Sequence, residues 1–234
     1  MSSKIKFLLQ DEFQVDAFPS PVPSQKLFPD YFKNLSPTVA SGGPKALSSS
    51  AKKCVPIKDA LSSGFIIPFW SDVSVVAENG NLQINFPPNL QMENSLSQHS
   101  HEQIIDHPLS KIPYGDIPLK WHNPWIIETQ KGYSCLFTSP LNHLETRFKL
   151  FDGVVDTDNY YQQINFPFIW TGGDGEFFIP KGTPLIQVIP FKREKFNLSV
   201  GVWENKKFKS ALAKMGTRMQ DAYRKMFWHG GNDK

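Results

Sequence analysis

Cysteine is scarce: 234 residues contain two, Cys54 and Cys135, each inside an apolar run. So few thiols cannot build a disulfide framework, and folding in a reducing, intracellular place is expected. Long hydrophobic runs are lacking as well. Near the start, Phe7-Leu8-Leu9 gives way at once to Gln10 and Asp11, which is no signal peptide, and no run approaches membrane-spanning length. Long helical periods are few, while 19 Pro, 19 Phe and 15 Gly shift the class toward mainly β. Charge of one sign is thin too. The formal net charge is +3, and from Glu204 onward there are eight Lys or Arg against three Asp or Glu, leaving 17 against 19 for residues 1–203. A slightly acidic body with a basic appendage excludes a general nucleic-acid-binding surface on the body.

What is present divides into an N-terminal strand, proline-rich arm and linker (residues 1–53), a β core (54–203) and a basic C-terminal helix with tail (204–234). Ile5 to Leu9 reads as a strand. Phe18-Pro-Ser-Pro-Val-Pro-Ser24 must be extended, because each proline also biases its predecessor away from helix. It is read as an arm along the body or a neighbouring subunit, with a proline-rich ligand motif as the sharper alternative. Pro29 can open a short helical turn through Lys33. Ser36 to Lys53 is rich in Ser, Gly and Ala with little to bury, the composition of a linker. Val55 to Ser63, closed by Gly64, reads as two helical turns, and Phe65 to Trp70 as a buried strand. Asp72 to Glu78 and Asn81 to Phe86 alternate around Asn79-Gly80, which predicts a type I′ hairpin.

From Pro87 to Pro118 the chain is polar and irregular. His99, His101, Glu102, Asp106 and His107 include a two-histidine, one-carboxylate set, and His-x-His opens the cupin ligand pattern. Cupin ligands stand on rigid strands, whereas this run reads as a solvated loop, so no metal is expected. Trp121 and Trp125 could stack a base or sugar; capping a sandwich edge is the plainer role. Tyr133 to Thr138 is an apolar strand. Beyond it come an acidic segment with Asp152, Asp156 and Asp158, and two β-rich runs, Phe177 to Ile179 and Leu185 to Ile189. The turn Pro180-Lys-Gly-Thr-Pro184 joins the two runs. Pro180, Pro184 and Pro190 each remove a ladder donor, so these strands should lie at edges or change partners there. Glu204 to Trp228 predicts one long helix, with Phe208, Leu212, Met215, Met219, Ala222 and Met226 in an apolar stripe and Arg218 among the basic residues of the other faces.

The order Gly153-Val-Val-Asp-Thr-Asp-Asn-Tyr160, polar strand, Ile179-Pro-Lys-Gly-Thr-Pro-Leu-Ile-Gln-Val188 resembles the β-clip signature of the dUTPase and dCTP deaminase group, over residues 132–193. That resemblance implies a water-activating role for Asp156 and base stacking by Tyr160, which stands one residue late. It implies binding roles for Ser139, Asn142, Asp158 and Gln187, and trimers with sites between subunits. The family's arginine-bearing phosphate motif is missing where Phe137-Thr-Ser-Pro-Leu-Asn142 stands, and so is its glycine-rich C-terminal arm. Phosphoryl chemistry is mostly charge stabilisation. The nearby cations are Arg147, Lys149 and Lys181, and Arg193 or Arg218 of a neighbouring subunit could substitute. Across its length the chain also resembles uncharacterised proteins encoded by tailed phages, cyanophages among them. "KKC-P-x-x-D-A-x-x-x-G-F-I-I-P" and "G-Y-S-C-L-F-T-x-P-x-N" carry that likeness.

The expected protein is therefore mainly β, an antiparallel sandwich or β-clip-like core with one C-terminal amphipathic helix. The first functional reading is a phage-type assembly or binding protein without catalysis, in the host cytoplasm or the virion. It would be a homo-oligomer, trimeric by the resemblance, with an assembly or virion protein as partner and neither membrane nor nucleic acid. Met215, Met219, Met226 and Arg218 are its interaction residues, and it needs no cofactor. The second reading is a dUTPase-like nucleotide hydrolase or nucleotide binder with Asp156 as general base, and Mg2+ enters only there.

Overall fold

A computed structural model describes residues 4–11, 15–41, 47–88, 92, 94–202, 205–216 and 228. The chain falls into two compact units, Met1–Leu27 with Ser63–Arg193, and Phe28–Ser62 with Glu194–Lys234. The described strands are β1 Ile5–Leu8, β2 Val22–Pro23, β3 Thr38–Ala40, β4 Leu47–Ser49, β5 Phe65–Pro68, β6 Val73–Glu78, β7 Asn81–Asn85 and β8 Leu96–Gln98. They continue with β9 Leu119–Trp121, β10 Ile126–Thr129, β11 Tyr133–Thr138, β12 Phe148–Leu150, β13 Gly153–Val155, β14 Phe166–Trp170, β15 Gly175–Ile179 and β16 Pro184–Lys192. The helices are α1 Asp30–Asn34, α2 Val55–Ser62 and α3 Asn205–Gly216. Every described strand pair is antiparallel, and the protein is mainly β as its composition requires.

The first unit carries sheets ordered β13-β11-β16-β5-β2, β12-β14-β9-β8, β15-β6-β7 and β1-β10. The hairpin β6–β7 forms as its alternation dictates. The strand buries Val73, Val75 and Ala77, and Asn79 and Gly80 both take positive φ, 49° and 81°. One apolar cluster joins the sheets, with Ile67 and Val188 from the five-stranded sheet, Val75 and Ile179 from the three-stranded, and Trp121 and Phe168 from the four-stranded. Trp121 stacks on Phe168 with ring centroids 4.3 Å apart and meets Phe69 edge-on at 5.2 Å. Trp121 and Trp125 are both buried, so neither offers a face to a ligand or caps an open edge.

The expectation of an edge or a change of partners at the prolines, and that of an arm along the body, both find their outcome in this unit. The strand from Pro184 is the centre of its sheet, not an edge. It tolerates its prolines because it changes partners: pairing to β5 shifts register after Pro184 and ends at Val188, two residues before Pro190, while pairing to β11 continues to Lys192. The proline-rich arm supplies an edge strand to the same sheet, Val22 and Pro23 lying against Ile66 and Phe65, and Phe18 is buried in the core.

In the second unit Pro29 stands before α1 with extended backbone, as its fixed φ favours, and α1 buries Phe32. The Ser-rich segment is no linker where it is described: Thr38, Val39 and Ala40 pair with Ser49, Ser48 and Leu47. Ser50 holds the stretch together, its hydroxyl donating to the Ser36 carbonyl and accepting from the Lys52 N–H at 3.2 Å. Short polar side chains that bond local backbone replace the missing apolar burial. The indole N–H of Trp228 donates to Asp59 on α2 at 3.0 Å. Met219, Met226 and Arg218 lie outside the described residues, as does the side chain of Met215.

Candidate functional site

The acidic segment after β13 lies beside the end of β16, and the register of β11 explains why. Tyr133 opposes Lys192, so the next residue, Arg193, falls level with Gly132, to whose carbonyl its N–H donates at 2.8 Å. On the other side of β11, Cys135 opposes Val155, which delivers Asp156 and Asp158 to the same end. Past Val155 the backbone turns, the N–H groups of Asn159 and Tyr160 both donating to the Asp156 carbonyl at 3.0 Å. The carboxylates therefore do not share one side of an extended segment: Asp158 points inward with 5 % of its side chain exposed, and Asp156 outward with 63 %.

Asp158 is saturated. Its Oδ2 accepts the Gly132 N–H at 2.7 Å, Arg193 Nη1 donates to Oδ1 at 2.9 Å, and Arg193 Nη2 donates to Oδ2. The guanidinium, and after it the Gly132 amide, hold the Asp158 carboxyl below its ordinary value. The same contacts push the Arg193 guanidinium still higher. Asp156 accepts the Ser134 hydroxyl on Oδ1 at 2.6 Å, and Arg193 Nη1 lies 3.2 Å from the same oxygen. Arg193 also donates to the Tyr133 carbonyl at 2.9 Å and to Ser134 Oγ at 3.1 Å. Beneath the cluster, Thr157 and Thr129 share a buried hydroxyl contact at 2.8 Å, and Thr157 donates to the Cys135 sulfur at 3.3 Å. Burial pushes the Cys135 thiol up, so it is a structural group and not a nucleophile.

The remaining residues named for the site do not converge on this cluster. Gln187 is fully buried between two backbones: its Oε1 accepts the Leu141 N–H at 2.7 Å and its Nε2 donates to the Ser63 carbonyl at 2.6 Å. Ser139 is half-buried after β11, and Asn142 is exposed in a turn with φ 57°. Tyr160 is 44 % exposed. Of the cations considered for phosphate, Arg147 grips Glu145 through Nε at 2.8 Å and Nη2 at 2.6 Å and donates to the Phe178 carbonyl at 2.8 Å. Lys181 donates to the Ala17 carbonyl at 2.7 Å, and Lys149 is exposed on β12. Among the described residues no group of three His, Cys, Asp or Glu is placed to hold a metal. Mg2+ does not fit the Asp156–Asp158 pair, whose facing oxygens already accept from Arg193.

Ser134 and Gly132 were not legible as partners of the acidic turn, and Arg193 was named only as a donor from another subunit. Its intrachain role follows from the β11–β16 register, which no local pattern encodes.

No family model matches the chain, and no curated protein matches it. Among solved structures it is similar to a mutant dUTPase from phage phi11 of S. aureus, described with a structural Mg(II) ion. The match covers 62 % of this chain and 85 % of that one, at 11 % identity and a TM-score of 0.33. A likeness that weak has no bearing on the site. No helix among the described residues is long and apolar enough to cross a membrane.

Proposed function

We propose that this protein is a non-catalytic assembly or binding protein of phage type, working as a homo-oligomer in the host cytoplasm or the virion. The observation that carries the reading is the closed Arg193–Asp158–Asp156 cluster. A hydrolytic base must be free to take a proton from water beside the substrate, and a phosphate site needs cations that are not already committed. Here Asp156 accepts from Ser134 and shares Arg193 with Asp158, Arg147 is committed to Glu145, and Gln187 ties Leu141 to Ser63. Asp158 and Gln187, two residues of the nucleotidase pattern, each have a structural task that closes a strand end or a loop.

The test is a hydrolysis assay and a thermal-shift screen of the full chain with dUTP, dCTP and the corresponding monophosphates, with Mg2+. The expected result is neither turnover above buffer nor a shift in melting temperature. Hydrolysis abolished by Asp156→Asn would overturn the proposal in favour of the dUTPase-like reading.

A further inference from the structure

Residues 194–202, Glu-Lys-Phe-Asn-Leu-Ser-Val-Gly-Val, follow β16 without forming a strand or helix. Phe196, Leu198, Val200 and Val202 recur at every second position and are 89, 91, 87 and 100 % exposed. Period-two alternation is the pattern of a strand with one buried face, and here that face is exposed. Four consecutive large apolar positions left open is far more than the single surface apolar residues any protein carries. From Lys195 to Val202 no hydrogen bond to a described residue occurs, so the backbone is unpaired as well.

A matching vacancy exists in the first unit. β7 is the end strand of β15-β6-β7, and among the described residues it pairs with β6 alone. Asn81-Leu-Gln-Ile-Asn85 has none of the devices that guard a sheet edge: no lysine, no proline and no bulge. Its inward side chains, Leu82 and Ile84, pack on the core but are only half-covered. A further strand there with apolar side chains inward would complete that cover, and the polar positions Asn197 and Ser199 would continue the outward row of Asn81, Gln83 and Asn85. Charge agrees with the fit. Residues 72–85 and 174–179 contain Asp72, Glu78, Asp174 and Glu176 and no Lys or Arg, whereas residues 194–209 carry Lys195, Lys206, Lys207 and Lys209 against Glu194 and Glu204.

We propose that residues 195–202 are an exchange arm, which adds as a strand to the β7 edge of a second copy of this chain. The sheet edge supplies ladder hydrogen bonds to the arm's backbone, and the alternate side chains set its face. Reciprocal exchange closes a dimer, and one-way donation closes a ring. The proposal deepens the assembly reading by naming the surface through which copies join. Turnover in the nucleotide assay would sink that reading and leave the arm untouched.

The experiment compares the full chain with the Leu198→Asp/Val200→Asp variant by light scattering over a protein dilution series. Circular dichroism serves as the folding control. The expected result is an oligomer whose self-association weakens by about thirtyfold or more in the variant, a hot-spot-sized loss, with the β spectrum unchanged. A second measurement, in a Cys54→Ser background, mixes copies carrying Gln83→Cys with copies carrying Ser199→Cys and adds a short bismaleimide. A cross-linked pair formed in the mixture and in neither protein alone supports the exchange. A monomeric full chain, a variant of unchanged mass, or a mixture that fails to cross-link overturns it.

Discussion

β16 and the segment that follows it are written in the same alphabet and end in opposite surroundings. β16 reads Pro-Leu-Ile-Gln-Val-Ile-Pro-Phe-Lys, and Leu185 to Val188 are buried between β5 and β11. Residues 194–202 alternate apolar and small or polar side chains just as regularly, and their apolar side is open to water. β-propensity is therefore not what separates them. The first has neighbours on both sides whose register was set elsewhere in the chain, and the second pairs with no strand among the described residues. A strand pattern is a request for a partner, and the partner's location is a property of the whole fold.

The largest effect that sharpens this contrast is expected at Trp121. Replacing it by Ala removes a ring stacked on Phe168 and edge-on to Phe69, Phe86 and Phe148, and should cost about 3–5 kcal/mol in denaturant unfolding. Next comes Gln187→Leu, nearly isosteric but unable to serve Leu141 and Ser63. Leaving the Leu141 N–H without Gln187, while the Ser63 carbonyl keeps the Ser24 hydroxyl, should cost roughly 1–3 kcal/mol, and a near-neutral result would show that the strand holds its place by packing alone.

Gly80→Val should be smaller. Nothing lies within 4 Å of the added Cβ, so the whole penalty comes from a φ of 81°, about 1–2 kcal/mol and at the upper end for a β-branched residue. An unchanged melting temperature would mean that the turn does not hold the hairpin.

The ion cluster predicts a modest pH effect. Because the Asp158 carboxyl is held below its ordinary value in the folded protein, its stabilisation is complete above the usual aspartate range near 3.9. It is lost as pH falls through the folded value. In Asp158→Asn the acid limb of the stability profile should be shallower, as read by melting temperature against pH.

The smallest effect belongs to the arm. Phe196→Ser at the lowest workable protein concentration should leave the unfolding midpoint within about 0.5 kcal/mol of the parent, because the side chain is 89 % exposed. A large loss there would break the contrast with β16 and place the segment in the core.

Much of the fold was legible in short stretches. Asn79-Gly80 between alternating runs announced the hairpin, and Val55 to Gly64 announced α2 with its left-handed terminal glycine, whose φ is 64°. These succeed because the determinants, positive φ and side-chain alternation, lie within a few residues of one another. The prolines around β16 left its placement open between an edge and a partner change, since both remove the same donors, and only the registers chose the second. The Ser-rich run misled for a related reason: the Ser50 hydroxyl does not register as structure until it is within reach of the Ser36 carbonyl and the Lys52 N–H. The candidate site was legible in its carboxylates and not in its arginine.

By itself the amino-acid sequence determined a mainly β protein with few thiols, a slightly acidic body and a basic end. Composition, local turn chemistry and alternation are additive properties of near neighbours, and they survive without knowledge of the fold. The tertiary structure alone decided that Arg193 closes on Asp158 and Asp156, that Gln187 ties a loop to the end of a helix, and that Trp121 is core. It also decided that Phe196 to Val202 are exposed and pair with no strand among the described residues. Each of these depends on strand registers across tens of residues, and a one-residue slip in any of them turns every side chain of that strand to the other face.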